Sequence, residues 1–217
     1  MVLIPHRRLR PVLAALVACA LAAQGALAAG PHASRRQTGI AAAGDAILGN
    51  PRGDVTVLEF FDYNCPGCRQ ASANLVALAA SDPKLRVVLK EWPILSSESV
   101  EAARVSTAAR MEDRGPRFLR FHESLLRSWG PANHATALNA AEQAGYDPAR
   151  IQARLLSGEV SASLAAVERL ARSMAIHGTP TFVVGGQVIS GAVDMDALGR
   201  MVAEARGVRK DRIARQR

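Results

Sequence analysis

The chain has 217 residues, 49% of them hydrophobic but only 4% aromatic, a formal charge of +8 and three cysteines. Nucleic-acid readers interleave basic residues with aromatics on one face, and so aromatic-poor a chain excludes that class. Three arginines lie within the first ten residues, so the rest carries 24 Lys+Arg against 19 Asp+Glu, a mild +5.

Residues 1–28 read as an export signal. Arg7, Arg8 and Arg10 form a basic start, Pro11 to Ala23 is apolar, and Ala26-Leu27-Ala28 offers the small residues that a signal peptidase requires. The apolar run is too short and too interrupted for a membrane span. Leu16-Val17-Ala18-Cys19 is also similar to a lipobox, so a lipoprotein anchored through Cys19 stands as the alternative to plain secretion. Under either reading Cys65 and Cys68 are the cysteines left to the folded part, in an oxidising compartment. What remains suits one domain with a sizeable core, or a small domain with an insertion.

Residues 29–50 are Ala/Gly-rich, lack periodicity and read as a flexible lead-in to a domain over 51–207. Asn50-Pro51-Arg52-Gly53-Asp54 is a turn. Val55 to Phe61 is a strand whose nearly continuous apolar character implies cover on both faces. Pro66 opens a helix, where its missing N–H costs nothing, and the helix runs through Arg69 to about Ala80. Leu85 to Lys90 is a second strand, which completes a βαβ unit. Residues 97–176 change to an Ala-rich helical period broken by Gly115-Pro116, Gly130-Pro131, Gly145 with Pro148, and Gly158, so four or five helices fit. The most regular spans Glu159–Ala175. Thr181 to Val184 and Gln187 to Ile189 form a hairpin about Gly185-Gly186. A last helix runs from Val193 to about Ala205, and the basic tail 208–217 reads as a solvated helix end, weakly attracted to an anionic surface at most. The expected fold class is α/β: β-α-β, a helical insertion over about 97–176, then β-β-α.

Cys65-Pro66-Gly67-Cys68 stands where the first strand feeds the first helix. First-turn N–H groups and the helix dipole stabilise a thiolate there, and the spacing lets Cys68 close a disulfide one turn further in. Cys65 is then the attacking sulfur and Cys68 the shielded, resolving one. Structural zinc would need two more ligands, and His122, His134 and His177 are scattered singly. An inert disulfide closing so small a loop would constrain little. Thiol–disulfide exchange is the expected chemistry, with no cofactor beyond the Cys65–Cys68 disulfide itself. Binding of Cu(I) by the two thiolates is the alternative from a different class. Thr179-Pro180 opens a strand. The ordinary reading is a trans turn proline, whereas a cis bond would aim the Thr179 backbone at the cysteines. Glu59 is an acid within a buried strand and needs a partner or a task. It could relay the proton of Cys68, pair with Lys90 on the next strand, or both.

Val57-Leu58-Glu59-Phe60-Phe61-Asp62-Tyr63-Asn64-Cys65-Pro66-Gly67-Cys68 and Gly178-Thr179-Pro180-Thr181-Phe182, with a helical stretch between them, resemble the DsbA family of exported proteins. The resemblance implies a thioredoxin fold with a helical insertion and catalytic roles for Cys65, Cys68, Thr179, Pro180 and Glu59. Pro180 would be a cis-proline and Lys90 the partner of Glu59. It implies a periplasmic monomer that donates disulfides to exported substrate proteins with cysteines and is reoxidised by a membrane partner of the DsbB type. Two positions depart from the family pattern. Gly67 stands where an aromatic or His is usual, and Thr179 is similar to the isomerase branch and to the Com1/ScsC type. An isomerase or reductase served by a DsbD-type partner is therefore the alternative within the same chemistry.

Overall fold

The computed structural model describes residues 44–215. The export signal, Cys19 and most of the lead-in lie outside the described residues.

Among the described residues, five strands form one sheet in the order β1-β3-β2-β4-β5: β1 Ala46–Gly49, β2 Val55–Phe61, β3 Leu85–Glu91, β4 Thr181–Val184 and β5 Gln187–Ser190. The central pair, β2 and β3, is parallel and is joined by helix α1, Pro66–Ser81. The other pairings are antiparallel. Between β3 and β4 run α2 Ser97–Glu112, α3 Pro116–Arg127, α4 His134–Gln143, α5 Pro148–Leu155 and α6 Gly158–Ser173. The chain then makes the β4–β5 hairpin and closes with α7, Met195–Ala214. Gly185 and Gly186, with φ of 60° and 94°, turn the hairpin, since two successive positive φ values suit glycine. Among the described residues this is the expected β-α-β, helical insertion, β-β-α.

The strands are apolar almost throughout because both sheet faces are covered. Val57 and Phe61 of β2, Val87 and Leu89 of β3, and Phe182 and Val184 of β4 share one face with Leu75 of α1, Leu198 of α7 and the aromatic residues of α3. Leu58, Phe60, Val88 and Val183 share the other, packed against Trp92 and against Val167 and Ala171 of α6. Two-residue alternation makes these sets disjoint.

Two expectations are corrected. Ala46–Gly49 is an edge strand pairing with β3, with Ala46 and Leu48 buried, not part of a flexible lead-in. Four residues are too few to show a period, and the pairing is supplied by the open edge of β3. The basic tail is also not wholly solvated: Arg209 donates to Asp54 O. Just before the tail, Arg206 bridges Asp54 before β2 and Asp82 after α1 at 2.8 Å each, and so clamps α7 to the sheet.

Candidate active site

Cys65 caps the N-terminus of α1 with extended backbone (φ −80°, ψ 117°), and Pro66 takes the first helical turn. Its N–H donates to Asp62 O at 3.0 Å, while its carbonyl accepts from Cys68 N at 3.1 Å and Arg69 N at 3.3 Å. The helix therefore starts at the cysteine, with the positive end of its dipole there. Both thiols are free in this structure. Cys65 is 6% exposed and Cys68 is 0%, so an incoming sulfur has a sliver of access to the first and none to the second. Burial, with a hydrogen bond to Cys65 and the nearby Glu59 charge adding to it, pushes the Cys68 thiol up and keeps it protonated.

The distant strand opening meets the helix start. The Thr179–Pro180 peptide is cis, and Cys65 Sγ donates to Thr179 O at 3.3 Å. A Cβ on Gly67 would lie 3.1 Å from Pro180 Cδ, so glycine here lets α1 approach the proline directly. Thr179 Oγ1 is buried without a hydrogen-bond partner among the described residues.

Glu59 is fully buried on the β2 face that carries Val57 and Phe61. Burial raises its carboxyl from 4.5 to about 8. Oε1 has no partner among the described residues. Lys90 is not its partner, which corrects that expectation. In the parallel register Glu59 faces Leu89 and Lys90 faces Phe60, so the lysine lies on the opposite side of the sheet. Lys90 Nζ instead pairs with Asp45 at 2.6 Å.

The structure thus brings Cys65, Cys68, Thr179 and Pro180 together, with Glu59 near Cys68. Three residues around the motif escaped the sequence reading. The Asp62 carboxylate accepts from Asn64 N (2.8 Å), Ile94 N (2.9 Å) and Leu95 N (3.1 Å). Asn64 exchanges two bonds with Ala132, accepting from its N–H at 2.7 Å and donating to its carbonyl at 2.9 Å. Arg69 donates to Ser128 O and Gly130 O. The available signal was polar side chains immediately flanking a redox motif. Their targets, distant loops of the insertion, carry no sequence mark. Tyr63 continues the set inward: its hydroxyl lies 2.7 Å from Ser106 Oγ and 3.1 Å from the buried His122 Nδ1, and Glu91 accepts from Ser106 and Thr107.

The family model of the DSBA-like thioredoxin domain matches residues 56–203. A thioredoxin-like oxidoreductase from Silicibacter pomeroyi superposes with a TM-score of 0.74 at 40% identity, covering 79% of this chain and 98% of that one. The thiol:disulfide interchange protein DsbA of Bordetella parapertussis is 30% identical over 146 residues, 65% of this chain and 68% of that protein. The Na(+)/H(+) antiporter NhaA 1 of Salinispora arenicola is 28% identical over 161 residues. There the match takes in 74% of this chain but spans about a quarter of the antiporter's length (24%). No described helix here is long and apolar enough to cross a membrane.

Proposed function

The chain belongs to the DSBA-like thioredoxin domain family, and from that premise we propose that it is an exported thiol:disulfide oxidoreductase that donates the Cys65–Cys68 disulfide to cysteines of exported proteins. The observation that carries the reading is the asymmetry of the pair. Cys65, at a helix N-terminus beside Thr179 O, keeps a sliver of exposure, while Cys68 is sealed with its thiol pushed up.

In the oxidised protein a substrate thiolate attacks Cys65 Sγ. The Cys65–Cys68 bond breaks, and its electron pair goes to Cys68, which takes up a proton. A Glu59 carboxyl at about 8 is mostly protonated at neutral pH and can supply that proton within the dry site. A second substrate thiolate then attacks the substrate sulfur of the mixed disulfide. Cys65 departs as a thiolate toward the helix N-terminus. The substrate leaves oxidised by two electrons and the protein leaves as a dithiol. Reoxidation then requires a membrane partner of the DsbB type. Export to the periplasm rests on residues 1–28 and on the family, and a monomer is the working assembly.

The direction of exchange is tested by the equilibrium reduction potential of the couple against glutathione. A value of about −120 mV fits a disulfide donor. A value of about −270 mV fits a reductant or isomerase kept reduced by a DsbD-type partner, and would overturn the donor role.

A further inference from the structure

Trp129 is 98% exposed, more than any other large apolar side chain among the described residues. It stands in the α3–α4 loop of the helical insertion, far from the cysteines in sequence. Nevertheless, that loop is fastened to both ends of the redox motif. Asn64, immediately before Cys65, holds Ala132 by two hydrogen bonds of 2.7 and 2.9 Å. Arg69, immediately after Cys68, holds Ser128 O at 2.9 Å and Gly130 O at 3.2 Å, the carbonyls on either side of the tryptophan. The same Asn64 amide also reaches Ser99 Oγ at 3.0 Å, which ties in the first turn of α2. Four hydrogen bonds from residues flanking the cysteines therefore fix a loop whose tryptophan is almost wholly exposed. An indole held in water forgoes the gain of burying a large apolar surface, and bracing its loop against the reactive centre is of use when the indole serves that centre.

We propose that Trp129 is an anchor for unfolded, cysteine-containing polypeptide, gripping an apolar residue near the cysteine that attacks Cys65. The inference rests on the exchange activity proposed above. The surface suits this occupant better than a second copy of the chain. One indole, with Ile94 and Leu95 on a separate loop held by Asp62, falls well short of the roughly 1,200 Å² that a stable interface buries. A weak, sequence-tolerant hold is what a protein that must release each product requires.

The test uses two reduced cysteine peptides of equal length and charge, one with Leu and Phe flanking the cysteine and one with Ser and Gly, each offered to the oxidised protein. The wild type favours the apolar peptide in kcat/KM. Trp129→Ala lowers that preference roughly fivefold, and the change lies in KM rather than kcat. Trp129→Phe retains most of it. An unchanged preference in Trp129→Ala overturns the proposal, as does a wild-type dimer in sedimentation that Trp129→Ala dissociates, which would assign the indole to self-association. If the wild type fails to oxidise dithiothreitol, the exchange activity and this inference fall together. If it oxidises dithiothreitol and the preference is unmoved by Trp129→Ala, the inference alone falls.

Discussion

Two buried titratable side chains give the molecule opposite responses to pH. Glu59 is raised to about 8 by burial alone. Between 4.5 and 8 the unfolded chain releases this proton while the folded chain keeps it, so stability falls as pH rises through that window and levels off above it. Glu59→Gln, which never ionises, should gain melting temperature over the wild type at pH 8 and gain nothing at pH 4. It should also slow release of Cys68 from the disulfide, visible as slower single-turnover reduction. Equal stability of the two proteins at both pH values would place Glu59 in a wetter site than the structure gives it. His122 works the other way. It is fully buried against Phe61, Tyr63 and Phe118, and burial lowers it to about 3. Below 6.5 the unfolded chain binds a proton that the folded chain refuses, so stability is lost as pH falls from 6.5 toward 3. Replacing it, as in His122→Phe, should flatten that acid limb, measured as urea midpoints from pH 7 to pH 4, although the hydrogen bond to Tyr63 is given up. An unchanged limb would mean that other groups set the acid response.

At the scale of elements, the site depends on loops tied to α1 from elsewhere. Ala132 is fully buried, and Asn64 satisfies both its N–H and its carbonyl. Asn64→Ala leaves those groups unpaired in the interior and should cost about 2 kcal/mol, by the usual cost of an orphaned buried polar group. Asn64→Asp keeps the side-chain volume and the acceptor for Ala132 N–H but sets a carboxylate oxygen against Ala132 O, so it should cost a comparable amount. Chemical denaturation of the pair therefore separates lost hydrogen bonds from lost packing. Arg206 makes the corresponding tie at the far end of α1. It is 23% exposed and grips two carboxylates at 2.8 Å. Arg206→Ala should cost about 1 kcal/mol and more in low salt, as partly exposed ion pairs do. A loss that does not respond to salt would mean that the arginine acts through packing of its stem.

Across the whole molecule, what could be read from sequence was what repeats locally or carries chemistry. Val55 to Phe61 announced a strand covered on both faces, the Pro/Gly breaks divided the insertion, and Cys65-Pro66-Gly67-Cys68 fell where a strand meets a helix. Resemblance to a family is what favours the cis bond that sets Thr179 and Pro180 beside the cysteines, because no local rule carries contact over that separation. Other features depended on register and tertiary closure. Adjacency of their strands suggests a Lys90–Glu59 pair, yet a one-residue offset in the pairing puts them on opposite faces. Strand β1 is defined by the open edge of β3, and the polar flanks Asp62, Asn64 and Arg69 are defined by loops of the insertion.

In the proposed exchange Cys65 alone meets substrate while Cys68 resolves. Cys68→Ala, expressed in an exporting bacterium and recovered by acid quench, should accumulate mixed disulfides with exported proteins, and peptide mapping should place every linkage at Cys65, whereas Cys65→Ala should carry none. Absence of adducts in Cys68→Ala, or adducts of equal yield on Cys68 in Cys65→Ala, would overturn this division of roles.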